Sequence, residues 1–183
     1  MEDQDHPRIA IRRATPADGI LLAEFGARTF REAFAADNTP ENMQAYLKGA
    51  FSPDLQQAEL AQEGSVFLIA EVEGSTVGYA HLREGGIPGR ITGMRPVEIV
   101  RFYSAAEWIG KGVGPALMPA CLEEAARQGC DVIWLDVWSN NPRAISFYRK
   151  WGFRIVGTQP FRLGDEVQTD LLMQREVDDS DTT

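Results

Sequence analysis

Along the chain the apolar positions recur in two rhythms, every second residue in some stretches and every third or fourth in others, which separates strands from helices. Ile9 to Arg13 alternates and predicts a short first strand. Thr15-Pro16-Ala17-Asp18 then supplies an N-cap, a proline at the first helical position and an acid at the third. Leu22, Phe25, Thr29 or Phe30, and Ala33 follow at helical spacing and predict the buried face of that helix. Thr39-Pro40 and Ser52-Pro53 repeat the cap-then-proline signal and open two further short helices. Val66 to Glu73 and Thr76 to Leu82 read as strands joined by a tight turn at Gly74-Ser75. Glu84 to Arg95, rich in glycine, reads as a loop, and Val97 to Ser104 as the next strand. A helix from about Gly112 to Gln128 is closed by Gly129. Val132 to Trp138 is a nearly continuous apolar strand interrupted by Asp136. Asn141-Pro142 opens a helix that Gly152 ends, and Phe153 to Gly157 and Val167 to Met173 are the last strands. The order predicts a mixed α/β domain built on one central sheet.

A length of 183 residues suits one domain, and 44% hydrophobic with 25% charged residues suits a packed core. The net charge of −9 disfavours nucleic acid, whose phosphates need cationic partners, and suits cationic ligands. Four acids and no base fall in residues 176–183, so that stretch is expected to be a disordered acidic tail. Residues 1–7 are expected to be a flexible N-terminus, which leaves 8–175 for the domain. Two cysteines, Cys121 and Cys130, and two histidines, His6 and His81, are too few for a metal centre, so no metal is expected. The first residues lack a signal-peptide pattern and no apolar run spans a membrane, so a soluble, reduced, cytoplasmic protein is expected, with no membrane partner. The sequence does not fix the oligomeric state, and a homodimer is compatible with it.

Two segments carry candidate chemistry. Ile109-Gly110-Lys111-Gly112-Val113-Gly114 lies between a strand and a helix. Glycines there leave backbone N–H groups bare at a helix start, which suits a diphosphate; a ligand-free glycine turn is the competing reading. The spacing is neither that of a P-loop nor that of the dinucleotide fingerprint, which argues against a nucleotide-dependent oxidoreductase. The second segment, on the Asn141 helix, gathers Ala144, Phe147, Tyr148 and Trp151 on one broad face. By periodicity alone Tyr148 reads as a core aromatic.

Together these segments resemble the paired signature of the GCN5-related N-acetyltransferase superfamily, Q/R-x-x-G-x-G/A followed by N-x-x-A-x-x-F-Y-x-x-x-G-F. Asn141, Ala144, Phe147, Tyr148, Gly152 and Phe153 match in register, while Ile109 stands where Gln or Arg is usual. Trp134 to Trp138 and Gly164 to Met173 are similar to the bacterial spermidine/spermine (PaiA-like) branch. The resemblance implies an acyl-CoA N-acyltransferase fold, with a mostly antiparallel central sheet flanked by helices. It implies an acetyl-CoA-dependent N-acetyltransferase acting on a small-molecule amine; a non-catalytic acyl-CoA-binding module is the alternative.

The resemblance also distributes roles. Ile109, Gly110, Lys111, Gly112, Val113 and Gly114 would hold the cofactor diphosphate through the main chain. Phe102, Tyr103 and Ser104 would pair with the pantetheine arm and donate an N–H to the developing oxyanion. Asn141 and Tyr148 would complete the cofactor site. A Lys-like amine has a pKa of about 10.4, so only about one molecule in a few thousand is neutral at pH 7 and a proton acceptor is needed. Glu98 resembles the recurrent base position, with an edge-strand salt-bridge partner as its other reading. Asp136, an acid inside an apolar strand, is a second base candidate. Tyr148 would return a proton to the leaving thiolate, a transfer uphill by about 2 kcal/mol between unperturbed groups. The branch implies a polyamine acceptor, with Asp136 pairing an ammonium and Trp138 offering a cation–π face; an aminoglycoside, an amino acid or a peptide N-terminus remains the alternative. Pro119 falls inside the helix after the glycines and is expected to kink or shift it.

Overall fold

The computed structural model describes residues 8–181. Its first strand, β1 (Ala10–Arg13), is followed by a 3-10 turn over Pro16–Asp18 and the helix α1 (Gly19–Phe34). The predicted cap forms: the Thr15 N–H donates to Asp18 Oδ2 at 2.7 Å, and Arg12 clamps the same carboxylate from β1. Leu22, Phe25, Thr29 and Phe30 are buried as predicted. Ala33 is exposed, and Phe34 takes its place, because the helix turns its last apolar ring back onto Phe30 at 4.6 Å. α2 (Pro40–Ala50) and α3 (Pro53–Ala61) start where the proline signals place them, each with a side-chain N-cap, Thr39 and Ser52.

The strands β2 (Ser65–Val72), β3 (Ser75–Glu84), β4 (Pro96–Ser104), β5 (Val132–Trp138), β6 (Arg154–Leu163) and β7 (Glu166–Glu176) join β1 in one sheet of order β1-β2-β3-β4-β5-β7-β6. All neighbours are antiparallel except β4 and β5. The helices α4 (Val113–Arg127) and α5 (Pro142–Lys150) cover one face of the sheet and α1–α3 the other. This is the mixed α/β, mostly antiparallel architecture that the sequence predicts.

Strand alternation assigns side chains to the two faces. Ile99, Phe102, Leu135, Val137 and Met173 enter the core under α4 and α5. Tyr79 and Tyr103 pack under α1 with Phe25 and Phe30. α4 runs through Pro119 as one helix. The only N–H that Pro119 withholds would have reached Pro115 in the first turn, so the ladder beyond is intact.

Two boundaries differ from the sequence reading. β6 continues to Leu163 through Pro160 instead of ending at Gly157, because β6 is an edge strand and an edge tolerates a residue without an N–H. Residues 177–181, part of the stretch expected to be disordered, are held down. Val177 donates its N–H to the Asp131 carbonyl and packs on the core, and Arg175 pairs with Asp181 at 2.7 Å. The expected flexible segment 1–7 lies outside the described residues.

Candidate active site

β4 and β5 pair over three positions only, Pro96 with Val132, Val97 with Ile133, and Glu98 with Trp134. Beyond them β4 stays with β3 as far as Ser104 and β5 with β7 as far as Trp138. The facing edges of residues 99–104 and 135–138 are therefore unpaired with each other. A bulge marks the departure: Leu82 opposes Ile99 and His81 opposes Arg101, which leaves Val100 extra. Such an insertion bends and re-aims a strand. The outcome is a gap through the sheet, with α4 and α5 on one side and α1 and α2 on the other.

The glycine turn stands at this gap. Gly110 and Gly112 have φ of 79° and 91°, a region that favours glycine, and Gly112 is the N-cap of α4. Ile109 and Lys111 use their N–H groups inside the turn, on the carbonyls of Ala106 and Trp108. The N–H groups of Gly110, Gly112, Val113 and Gly114 have no backbone acceptor among the described residues. A Cβ at Gly110 would meet nothing within 4 Å, so this side of the turn is open. Four free amides at the positive end of a helix dipole fit a diphosphate. Gly78 holds the helix start in place: a Cβ there would lie 2.9 Å from the Tyr103 carbonyl oxygen and press on Val113. The Lys111 ammonium sits 5.6 Å over the Trp108 ring.

Tyr148 lies on the α5 side, buried against Phe102 at 6.1 Å and Phe153 at 5.7 Å. Phe147 packs on Phe102, and the glycine turn reaches the same ring through Gly114. Burial pushes the Tyr148 phenol well above its usual value, with Cys121 and Asp136 adding to the rise, so it holds its proton near neutrality. Asn141 uses its side-chain oxygen to cap α5, accepting from the Ala144 N–H at 3.1 Å. Arg143, Arg149 and Lys150 are exposed. The side chains of Phe102 and Tyr103 point to opposite faces, and only the main chain of Phe102–Ser104 runs along the gap.

The carboxyl groups lie on the other face. Glu98 is buried and accepts from Arg83 Nη2 at 2.9 Å, so the salt-bridge reading is realised. Burial raises its pKa against the lowering by Arg83, and Asp136 raises it further. Asp136 accepts from Gln159 Nε2 at 2.6 Å and is raised by burial. Asp170, which the sequence reading did not single out, pairs in register with Trp138 and with Gln159 and is raised to about 7 by burial and then by Asp136. Trp138 turns its ring against the edge of Phe34 at 6.2 Å, so α1 roofs this side. A surface hollow of about 480 Å³ lies away from all these groups, at the edge formed by Arg13, Ser65 and Glu84.

Residues 28–153 match the acetyltransferase (GNAT) family. The chain belongs to that family. An uncharacterized N-acetyltransferase from Lactobacillus delbrueckii subsp. lactis is 32% identical over 84% of this chain and 91% of its own length. An aminoglycoside N(6′)-acetyltransferase type 1 from Stenotrophomonas maltophilia is 31% identical over 78% of this chain and 84% of its own. Among solved structures, the PaiA N-acetyltransferase from Thermoplasma acidophilum in complex with coenzyme A superposes with a TM-score of 0.75. It is 21% identical, and the match covers 92% of this chain and 99% of that one. This GNAT protein is thus an acetyl-CoA-dependent N-acetyltransferase with the fold its motifs imply. Among its described residues no three His, Cys, Asp or Glu side chains are grouped to hold a metal ion. No helix in them is long and apolar enough to cross a membrane.

Proposed function

We propose that this GNAT enzyme acetylates a primary amine of a small polycationic acceptor of the polyamine kind by direct attack, with Glu98 as proton acceptor and Tyr148 as proton donor. The observation that carries this reading is the gap between β4 and β5, which has carboxyl groups on one face and a buried phenol on the other. Acceptor and thioester can then enter from opposite faces and meet between the strands. Bound acetyl-CoA supplies the activated acyl carbon; the free amides of Gly110, Gly112, Val113 and Gly114 suit its diphosphate. The main chain of Phe102–Ser104 is positioned to donate to negative charge developing on the acyl oxygen.

Glu98 can accept the ammonium proton because burial makes it more basic than an ordinary carboxylate. Burial raises Tyr148 as well, which on its own would make donation harder. Burial disfavours a thiolate in the same way, so donor and leaving group are raised together in such surroundings. The acidic face suits an acceptor with further cationic groups and repels the carboxylate of an amino acid. An aminoglycoside, on which one relative acts, satisfies the same chemistry and is the second reading.

Thiol release from acetyl-CoA over a panel of amines tests this. Tyr148→Phe is expected to lower kcat by about a hundredfold, the usual scale of one acid–base group, with KM for acetyl-CoA unchanged. Glu98→Gln is expected to remove the acid limb of the pH profile. Wild-type turnover in both variants would return Tyr148 to the core and Glu98 to its salt bridge with Arg83.

A further inference from the structure

Four buried polar side-chain atoms lack a hydrogen-bond partner among the described residues, on Tyr79, Gln128, Trp134 and Asp170. Only that of Asp170 belongs to a carboxyl. Asp170 is 7% exposed and its Oδ1 is unpartnered. It faces Gln159 across β6, and Gln159 donates to Asp136. Asp136 is the diagonal neighbour of Asp170 across β5, since Leu172 opposes Asp136 and Trp138 opposes Asp170. Diagonal neighbours on one face stand roughly 7–8 Å apart at their backbones, within reach of each other's side chains. The Tyr46 phenol from α2 feels both carboxyls, and Trp138 under Phe34 closes the same side. Neither Asp136 nor Asp170 forms a salt bridge among the described residues.

A buried carboxyl beside a half-buried one, neither with a cation to answer it, is costly, and a fold gains nothing by keeping them. We propose that Asp170, together with Asp136, is the anchor for a second ammonium group of the acceptor and sets the preference for diamines and polyamines over monoamines. The inference rests on the acceptor reading above. Trp134, the register partner of Glu98, lies two residues before Asp136, about 6.6 Å along β5 at 3.3 Å per residue, and β5 stands about 4.8 Å across from β4, so the backbones of Glu98 and Asp136 are about 8 Å apart. A butylene chain with an ammonium hydrogen bond at each end covers such a spacing. One amine then stands at Glu98, to be deprotonated, while the other remains charged between the aspartates.

The test measures thiol release with putrescine and with n-butylamine, which differ by one terminal amine. The wild type is expected to favour putrescine in kcat/KM by about tenfold or more, the effect of one well-placed charge pair. Asp170→Asn is expected to bring the ratio near unity, through a rise in KM for putrescine. A thermal melt shows that the variant folds, and Asp170→Ser replaces it where it does not. If the wild type favours putrescine and Asp170→Asn keeps that ratio, Asp170 has no such role and the polyamine reading stands. If the wild type treats the two amines alike, both fall. If magnesium or calcium without amine raises the melting temperature of the wild type and not of Asp170→Asn, the pair is a metal site and the proposal is overturned.

Discussion

Two clusters of buried charge lie on the α1–α3 face of this sheet, and they are built to opposite rules. Around Arg101 every charge is answered. Its guanidinium takes both oxygens of Glu59, at 2.6 and 3.2 Å, and donates to the Ala50 carbonyl and to His81 Nδ1. Because an arginine only donates, His81 carries its proton on Nε2 and gives it to Ser65 Oγ at 2.8 Å. His81 is fully buried, stacked on Phe67, and its pKa falls to about 2 through burial and then through Arg101. Around Asp136 and Asp170, by contrast, one glutamine answers Asp136, and Asp170 Oδ1 has no partner among the described residues. The satisfied cluster ties α3 to β3 and β4, which is a structural task. The unsatisfied one costs stability, and its geometry leaves room for a cation from outside.

The comparison breaks most visibly at Arg101. Arg101→Met leaves Glu59 buried and alone, and is expected to cost about 3–5 kcal/mol in urea unfolding. A loss below about 1 kcal/mol would mean that the ion pair is not truly desolvated.

Asp170→Asn is expected to act in the opposite sense. Its carboxyl titrates near 7 folded against an ordinary 3.8. The folded state therefore binds this proton more tightly, and its stability falls as pH rises from 3.8 to about 7. The variant escapes that loss. Its advantage over the wild type should grow across this window and reach about 1–3 kcal/mol at its upper end, the cost of one unpartnered buried polar group. His81 gives the opposite slope, stability rising with pH from about 2 to 6.5, but does so in both proteins and cancels from the difference. An advantage that shrinks with rising pH would show that Asp170 is answered after all.

The smallest effect belongs to a surface control. Asp18 is held down to about 2, first by Arg12, so its contribution is present above 3.8 and is lost as pH falls through 2. Arg12 is partly exposed, and Arg12→Gln should cost less than about 1 kcal/mol at neutral pH. A larger loss would place this pair with the buried clusters.

Much of this was legible in the sequence, wherever the signal is local. The glycine turn, the Asn141 cap and the bounds of β5 follow from neighbouring residues, and the paired motifs identify the cofactor. The Arg101–Glu59 pair joins residues 42 apart and has no local mark. Asp170 had one: an acid inside an apolar strand, the argument that singled out Asp136. Its force depends on the register of β5, β7 and β6, which brings Asp136, Gln159 and Asp170 together. The run of β6 through Pro160 had no local mark either, since only the strand order shows that β6 is an edge.

The three-pair seam between β4 and β5 has a consequence for how long the protein survives. Past the seam two strand edges face each other across an opening, and unpaired edges invite local opening and proteolytic attack. An extended ligand lying between them would supply the missing pairing and favour the closed form by RT ln(1 + [L]/Kd). Proteolysis of the purified enzyme is then expected to slow as acetyl-CoA is added, with the first protected cuts along the facing edges of β4 and β5.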